Sequence, residues 1–317
     1  MKMSLFKGDV FDILANKLDE NSVDCVVTSP PYFNQRDYKV KGQIGLEDAV
    51  WKYVNTMLCV TSLIKKVLKP DGVFFLNLGD KYNGGGGHAN IKTEAGTSFK
   101  NRETSTESGR KEGQIFDRDY AKGCLLLIPS QVAVFMIEQQ NWILRNDVIW
   151  QKSNYVPEPV MNRFTKTYEH VFMFTKTMKY NFNMPDLYEP LAETTKLRRT
   201  ANFISKPKEG YERTFADINS TNAPYKHPTD IWKIARQSAK FNHFAPFPVA
   251  LAEKCIKAGC KYDGTVLDPF VGSGTTMVAA KNLNRSAIGI DLKQEYLEIA
   301  KMRLDWNHGV DIEWIEA

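Results

Sequence analysis

Two apolar runs, far apart in this 317-residue chain, end in turns that are too stiff or too open to be ordinary surface punctuation. Val23-Asp24-Cys25-Val26-Val27-Thr28 runs into Ser29-Pro30-Pro31-Tyr32, and Thr265-Val266-Leu267 runs into Asp268-Pro269-Phe270-Val271-Gly272-Ser273-Gly274-Thr275-Thr276. Short, nearly continuous apolar runs of this kind are strands covered on both faces, as in a parallel α/β sheet. Open sheets of that class bind ligands at the carboxyl ends of their strands. The two turns therefore constrain both the fold and the place where function sits.

The rest of the pattern agrees with an α/β chain. Leu5 to Asp9 reads as a short strand and Val10 to Leu18 as a helix. Residues 46–68 repeat apolar positions at helical spacing (Val50, Tyr53, Val54, Met57, Leu58, Leu63, Ile64, Val67) and stop at the breaker Lys69-Pro70-Asp71-Gly72. Val73 to Leu78 is the next strand, ending at Gly79-Asp80. Pro129 to Gln140 suits a helix with proline in its first turn. Trp142 to Trp150 and Glu169 to Thr175 read as strands, joined by a loop holding Pro157, Pro159 and Arg163. Phe247 to Ala258, Thr275 to Leu283 and Tyr296 to Leu304 read as helices, and Ala287 to Ile290 as a strand capped by Asp291.

Two stretches break the alternation. About 83–120 is rich in glycine, charge and small polar residues, with Gly84-Gly85-Gly86-Gly87 at its start, and reads as a mobile surface loop. About 181–240 lacks periodicity, is rich in Lys, Arg, Thr, Asn and Pro, and reads as a small recognition segment. The expected organisation is one catalytic and cofactor-binding domain, 1–180 plus 241–317, interrupted by that segment.

Composition closes off other classes. Cys25, Cys59, Cys124, Cys255 and Cys260 form no CxxC and have no histidine cluster beside them, which argues against a zinc site or a disulfide framework and for reduced thiols in a cytoplasmic protein. No apolar run reaches the roughly 20 residues of a membrane span, and the N-terminus has no signal-peptide stretch. Lys and Arg number 42 against 37 Asp and Glu, a net charge of +5 that permits nucleic-acid binding without requiring it.

The first turn suits a flat base held by an amino group. An exocyclic amine is a poor nucleophile because its lone pair is delocalised into the ring; acceptors for its N–H groups favour a pyramidal nitrogen. Pro30 and Pro31 stiffen the backbone so that the Pro30 carbonyl can be aimed, Ser29 adds a second acceptor, and Tyr32 offers a face for stacking. The second turn suits a nucleoside-bearing cofactor. Its glycines allow close backbone approach, Asp291 at the next strand end is placed for ribose hydroxyls, and the absence of Gly-Lys-Ser/Thr rejects a Walker loop. Joined end to end, the strands ending at Leu267, Ile290, Asp9 and Ser29 would form one continuous sheet.

In this order the motifs resemble the beta-group DNA amino-methyltransferases, whose catalytic motif precedes the cofactor motif. The likeness extends to Asn146 to Lys152, Arg163, Glu169 to Phe172, Thr229-Asp230-Ile231-Trp232 and His243-Phe244-Ala245-Pro246-Phe247-Pro248. It implies a circularly permuted, Rossmann-like sheet of the class I S-adenosylmethionine-dependent methyltransferases with a small target-recognition insertion. It also implies that Asp268, Phe270, Gly272, Ser273, Gly274 and Thr275 hold the methionine end of S-adenosylmethionine. Asp291 would bind the ribose, Asp9 the adenine amino group, and Phe247 would pack nearby. Ser29, Pro30, Pro31 and Tyr32 would form the catalytic turn, and Asp80 would line the pocket. No metal is expected.

In that family, serine before Pro-Pro-Tyr goes with cytosine and aspartate with adenine, so Ser29 favours N4-methylation of a flipped cytosine in duplex DNA, in a prokaryotic restriction-modification system. Methylation of adenine N6 stays open, as does a catalytically silent DNA-binding module. Lys196, Arg198, Arg199, Lys206, Lys208 and Arg213 would meet phosphates.

Overall fold

A computed structural model describes residues 1–84, 117–191, 225–237, 247–305 and 311–316. Eleven strands and six α-helices follow one another along these residues. In chain order they are β1 (Lys2–Lys7), α1 (Val10–Asn16), β2 (Val23–Thr28), α2 (Val50–Val67), β3 (Leu68–Leu78), α3 (Ile128–Gln140), β4 (Ile143–Gln151) and β5 (Tyr168–Thr175). There follow β6 (Glu189–Pro190), β7 (Tyr225–Lys226), β8 (Ile231–Lys233), α4 (Val249–Gly259), β9 (Thr265–Asp268), α5 (Thr275–Asn282), β10 (Ser286–Asp291), α6 (Gln294–Asp305) and β11 (Asp311–Glu316).

Nine strands make one sheet in the order β11-β1-β10-β9-β2-β3-β5-β4-β8. All neighbours are parallel except β5, which runs antiparallel to both β3 and β4. The expected joining of chain ends is realised here: β1 and β2, from the N-terminus, flank β10 and β9, from the C-terminal part. Asp291 and Asp268 thus end, and Asp9 and Ser29 follow, four contiguous strands at their carboxyl ends.

Side-chain alternation builds two cores from one sheet. Val26, Phe74, Leu76 and Phe174 face the layer of α1, α2 and α3. Cys25, Val27, Val73 and Phe75 face the layer of α4, α5 and α6. Phe74, Trp142 and Phe174 meet with centroids 5.5–6.1 Å apart; each such buried ring contributes about 1.5–3 kcal/mol.

Several boundaries differ from the sequence reading. Strand β3 begins at Leu68, not Val73, because Lys69 to Gly72 stay in the sheet as an irregularity between the Leu68 and Val73 pairings. Helix α2 has no side-chain cap of its own; the Asp117 carboxylate accepts from Val50 N at 2.7 Å instead. The short edge strand β8 carried no periodic signal, and β11, whose Ile312 and Trp314 alternate with Asp311 and Glu313, was not read as a strand. At the opposite end of the strands, buried Asp24 pairs with Lys69 and Lys261 and accepts from Thr265 N. Burial opposes its charge, but Lys69 leads the partners that hold its carboxyl below the usual range.

The recognition segment and the loop at 83–120 lie mostly outside the described residues, as do Lys196, Arg198, Arg199, Lys206, Lys208, Arg213 and His243 to Pro246. The described ends of 181–240 join the main body: Asn183 N donates to Ala258 O, and β8 pairs with β4. Three of the five cysteines are buried, while Cys59 and Cys124 are exposed. No described helix is long and apolar enough to cross a membrane.

Candidate active site

A cavity of about 370 Å³ opens over the carboxyl ends of β1, β10, β9 and β2. Its wall brings together Asp9, Phe247, Phe270, Gly272, Ser273, Thr275 and Asp291 with Ser29, Pro30, Pro31 and Tyr32. Both expected turns therefore border one space, although they are far apart in sequence.

The cofactor end is organised by backbone. Asp291 accepts from Gly272 N at 3.0 Å and from Lys293 N at 2.8 Å, so its carboxylate ties the glycine turn to its own strand end. Burial pushes its carboxyl up to about 6. Asp9 caps α1 through Phe11 N at 2.8 Å and still borders the cavity. Arg303, from α6, donates to the Ser273 carbonyl and to Thr275 Oγ1, bracing the turn from below.

Three expected residues take other places. Asp268 lies under the cavity wall and is fully buried; it accepts from Thr28 Oγ1 at 2.6 Å, Thr276 Oγ1 at 2.5 Å and Phe270 N at 3.1 Å. Burial raises its carboxyl to about 6 despite these donors. Gly274 faces α6: at φ +82°, a Cβ there would stand 2.7 Å from the Ala300 Cβ. Asp80 is turned away from the cavity and accepts from Leu127 N and Ile128 N, capping α3, whose own Leu127 offers no side-chain cap.

The base end is assembled from four segments. Ser29 Oγ donates to Tyr32 Oη at 3.1 Å, and Tyr32 Oη donates to Glu169 Oε2 at 2.7 Å. Asn77 Nδ2, from β3, also donates to Glu169 Oε2, and Lys152 Nζ pairs with Glu169 Oε1. Burial, then the Glu169 charge, pushes the Tyr32 hydroxyl well above its ordinary pKa, so it stays protonated. The ring fits because Gly79 has no side chain: a Cβ there would stand 2.5 Å from Tyr32 Cε2. Behind the turn, Tyr53 Oη donates to the Pro31 carbonyl at 2.9 Å.

Sequence reasoning gave no role to Glu169, Asn77 or Lys152, nor to Tyr38, Lys293, Tyr296 and Arg236, all on the cavity wall. Glu169 and Lys152 lay inside segments of family likeness, and an acid at the start of a buried strand was a usable signal. Asn77 inside an apolar strand was another. Nothing local marks Tyr38 or Tyr296, whose rings meet edge-on at 6.2 Å.

A family model described as DNA methylase, for the N6 and N4 amino-methyltransferases, matches residues 23–302. The Type II methyltransferase M.SmaI of Serratia marcescens is 35% identical over 90% of this chain and 86% of its own length. M.Cfr9I of Citrobacter freundii, another Type II methyltransferase, is 32% identical over 95% and 87%. Among solved structures, the cytosine-N4-specific PvuII DNA methyltransferase superposes with a TM-score of 0.64 at 21% identity, covering 98% of this chain and 89% of its own. The complex of M1.HpyAVI with SAM superposes at 0.52 and 20% identity, covering 96% and 99%.

Proposed function

The chain belongs to the DNA methylase family of N6 and N4 amino-methyltransferases, and from that premise we propose that it methylates the N4 amino group of cytosine in duplex DNA. The donor of this family is S-adenosylmethionine, which supplies an electrophilic methyl group on a sulfonium when bound. The site's residues fit it. Gly272 would give backbone approach, Ser273 and Thr275 would hold the methionine end, Asp291 would accept from ribose hydroxyls, and Asp9 from the adenine amino group. Phe247 and Phe270 supply apolar walls.

Ser29 carries the reading of the base. It sits at the end of β2, on the wall the cofactor turn also borders, and carries a hydroxyl where the adenine-type turn carries a carboxylate. Its oxygen and the Pro30 carbonyl would accept from the two N–H groups of the amine; no strong base is required before transfer, and the amine's surplus proton is released to solvent afterwards. A cytosine must leave the stack to reach this depth. Met161 and Phe164, 98% and 95% exposed, sit on the loop between β4 and β5; Lys152 at its start and Glu169 just beyond it in β5 border the cavity. Such apolar tips suit packing against bases around an extruded nucleotide. Pairing with a restriction endonuclease is part of the same reading, supported by the Type II relatives.

Expression in a strain free of DNA methylation, followed by single-molecule sequencing and nucleoside mass spectrometry, tests it. N4-methylcytosine in one short motif is the expected result. N6-methyladenine would overturn the reading of Ser29 and leave the enzyme.

A further inference from the structure

We propose that Glu169, acting through Tyr32, is a positioning residue that fixes Ser29 as a hydrogen-bond acceptor toward the base and so selects an amino group over a carbonyl oxygen. The proposal rests on the reading of the site as a base amino-methyltransferase.

The argument is one of hydrogen-bond polarity. A serine hydroxyl has one proton and can face a ligand as donor or acceptor. Left to itself, Ser29 could present its proton to a keto oxygen as easily as its lone pairs to an amine. The Glu169 carboxylate removes that freedom. A carboxylate paired with Lys152 can only accept, and at 2.7 Å Glu169 Oε2 is a nearer, charged acceptor than the Asn77 Oδ1 at 3.2 Å, so the single Tyr32 proton points at Glu169. The Tyr32 oxygen then faces Ser29 as acceptor, and the Ser29 proton is directed at it over 3.1 Å. Only lone pairs of Ser29 remain toward the cavity.

The surroundings hold Glu169 in place. Its side chain is 11% exposed, with Lys152 on one oxygen and Asn77 Nδ2 beside Tyr32 on the other. Asn77 is itself anchored by donating to the His170 carbonyl at 3.0 Å. Gly79 leaves the gap in which the tyrosine ring and the carboxylate meet; a Cβ there would lie 3.4 Å from Glu169 Cδ. Successive hydrogen bonds polarise one another, so the carboxylate also enriches the Ser29 oxygen. The charge an aspartate turn would place directly on the amine is thus set two hydrogen bonds away, which leaves a neutral hydroxyl at the base.

The test is a cycle of Glu169→Gln, Tyr32→Phe and the double variant on duplex DNA carrying the motif the wild type methylates. A glutamine amide can donate to Tyr32 and reverse the whole chain. Each single variant is expected to lower kcat by about tenfold to a hundredfold, with the dissociation constant for S-adenosylmethionine and the KM for DNA within about twofold of wild type. The double variant should be no worse than the singles, since they break one relay. Both singles should also bind duplex with thymine at the target position more tightly than the wild type does. An Glu169→Gln kcat within twofold of wild type, losses that multiply, or unchanged rejection of thymine would each overturn the relay. A wild type that transfers no methyl group to any DNA would overturn the functional reading itself, and the relay with it.

Discussion

The two halves of the cavity are built by opposite means. At the cofactor end, Gly272, Asp291 and Lys293 lie within one consecutive turn–helix–strand unit of the chain, and main-chain N–H groups do most of the holding. At the base end, Ser29, Asn77, Lys152 and Glu169 come from β2, β3 and the two arms of an antiparallel hairpin, and side chains hold side chains. A backbone cradle tolerates change in any one side chain better than a relay does. The base end should therefore be the more fragile in catalysis and the cofactor end the more graded in binding.

Tyr32→Ala presses that difference hardest. It removes both the ring and the link between Ser29 and Glu169, and turnover should fall by about 10²–10³-fold. Calorimetric affinity for S-adenosylmethionine should stay within about twofold. If both fell together, the two halves would not be separable.

Asp291→Ala is the counterpart at the cofactor end. It removes an acceptor for the ribose and also frees Gly272 N, so affinity for S-adenosylmethionine should weaken by about tenfold to a hundredfold. At saturating cofactor, kcat should return to near the wild-type value. An unchanged dissociation constant would remove Asp291 from the cofactor site.

Two glycines sharpen the contrast on a smaller scale. In Gly274→Ala the new Cβ meets Ala300 at 2.7 Å in a left-handed backbone, so a loss of about 1–3 kcal/mol in stability is expected, read as a lower midpoint in urea. In Gly79→Ala the Cβ meets the Tyr32 ring at 2.5 Å, so the loss should show in turnover more than in the midpoint. Equal effects of both variants on both readouts would dissolve the distinction.

The same division explains what could be read from sequence. Contiguous motifs were legible: the strand-turn pairs at Ser29 and Gly272, and Asp291 closing β10, which places the sheet's functional edge. Asp268 and Gly274 were legible as belonging to the turn but not in their duties, because whether a residue faces the ligand or the helix beneath depends on the packing of α5 and α6. Asp80 looked like Asp9 and Asp291, an acid after a strand, yet it caps a helix that starts at Ile128, after a long excursion of the chain. Glu169 and Lys152 were invisible as a pair, since the hairpin register that apposes them on Tyr32 is a long-range property. A polar residue in an apolar strand marks a site locally, but the partner it meets across the sheet does not show in any local period.

Acid titration separates the halves with no substitution at all. Asp291 and Asp268 have carboxyls raised by burial to about 6, from an ordinary 3.8. Their protonated forms are favoured by folding, so their contribution to stability is present in full below 3.8 and is lost as pH rises through about 6. The free protein should therefore unfold at higher urea near pH 5 than near pH 7, as far as these two groups decide it. Cofactor affinity should run the other way, because the ionised Asp291 is the better acceptor; about a threefold to tenfold weakening is expected from pH 7 to pH 5. Tyr32 stays protonated past its ordinary value of 10.0, so kcat at saturating cofactor should show no alkaline limb from this residue up to that pH. A cofactor affinity flat across pH 5 to 7, or a kcat limb that disappears in Tyr32→Phe, would mean that charge is managed differently at the two ends from the way their hydrogen bonds are drawn.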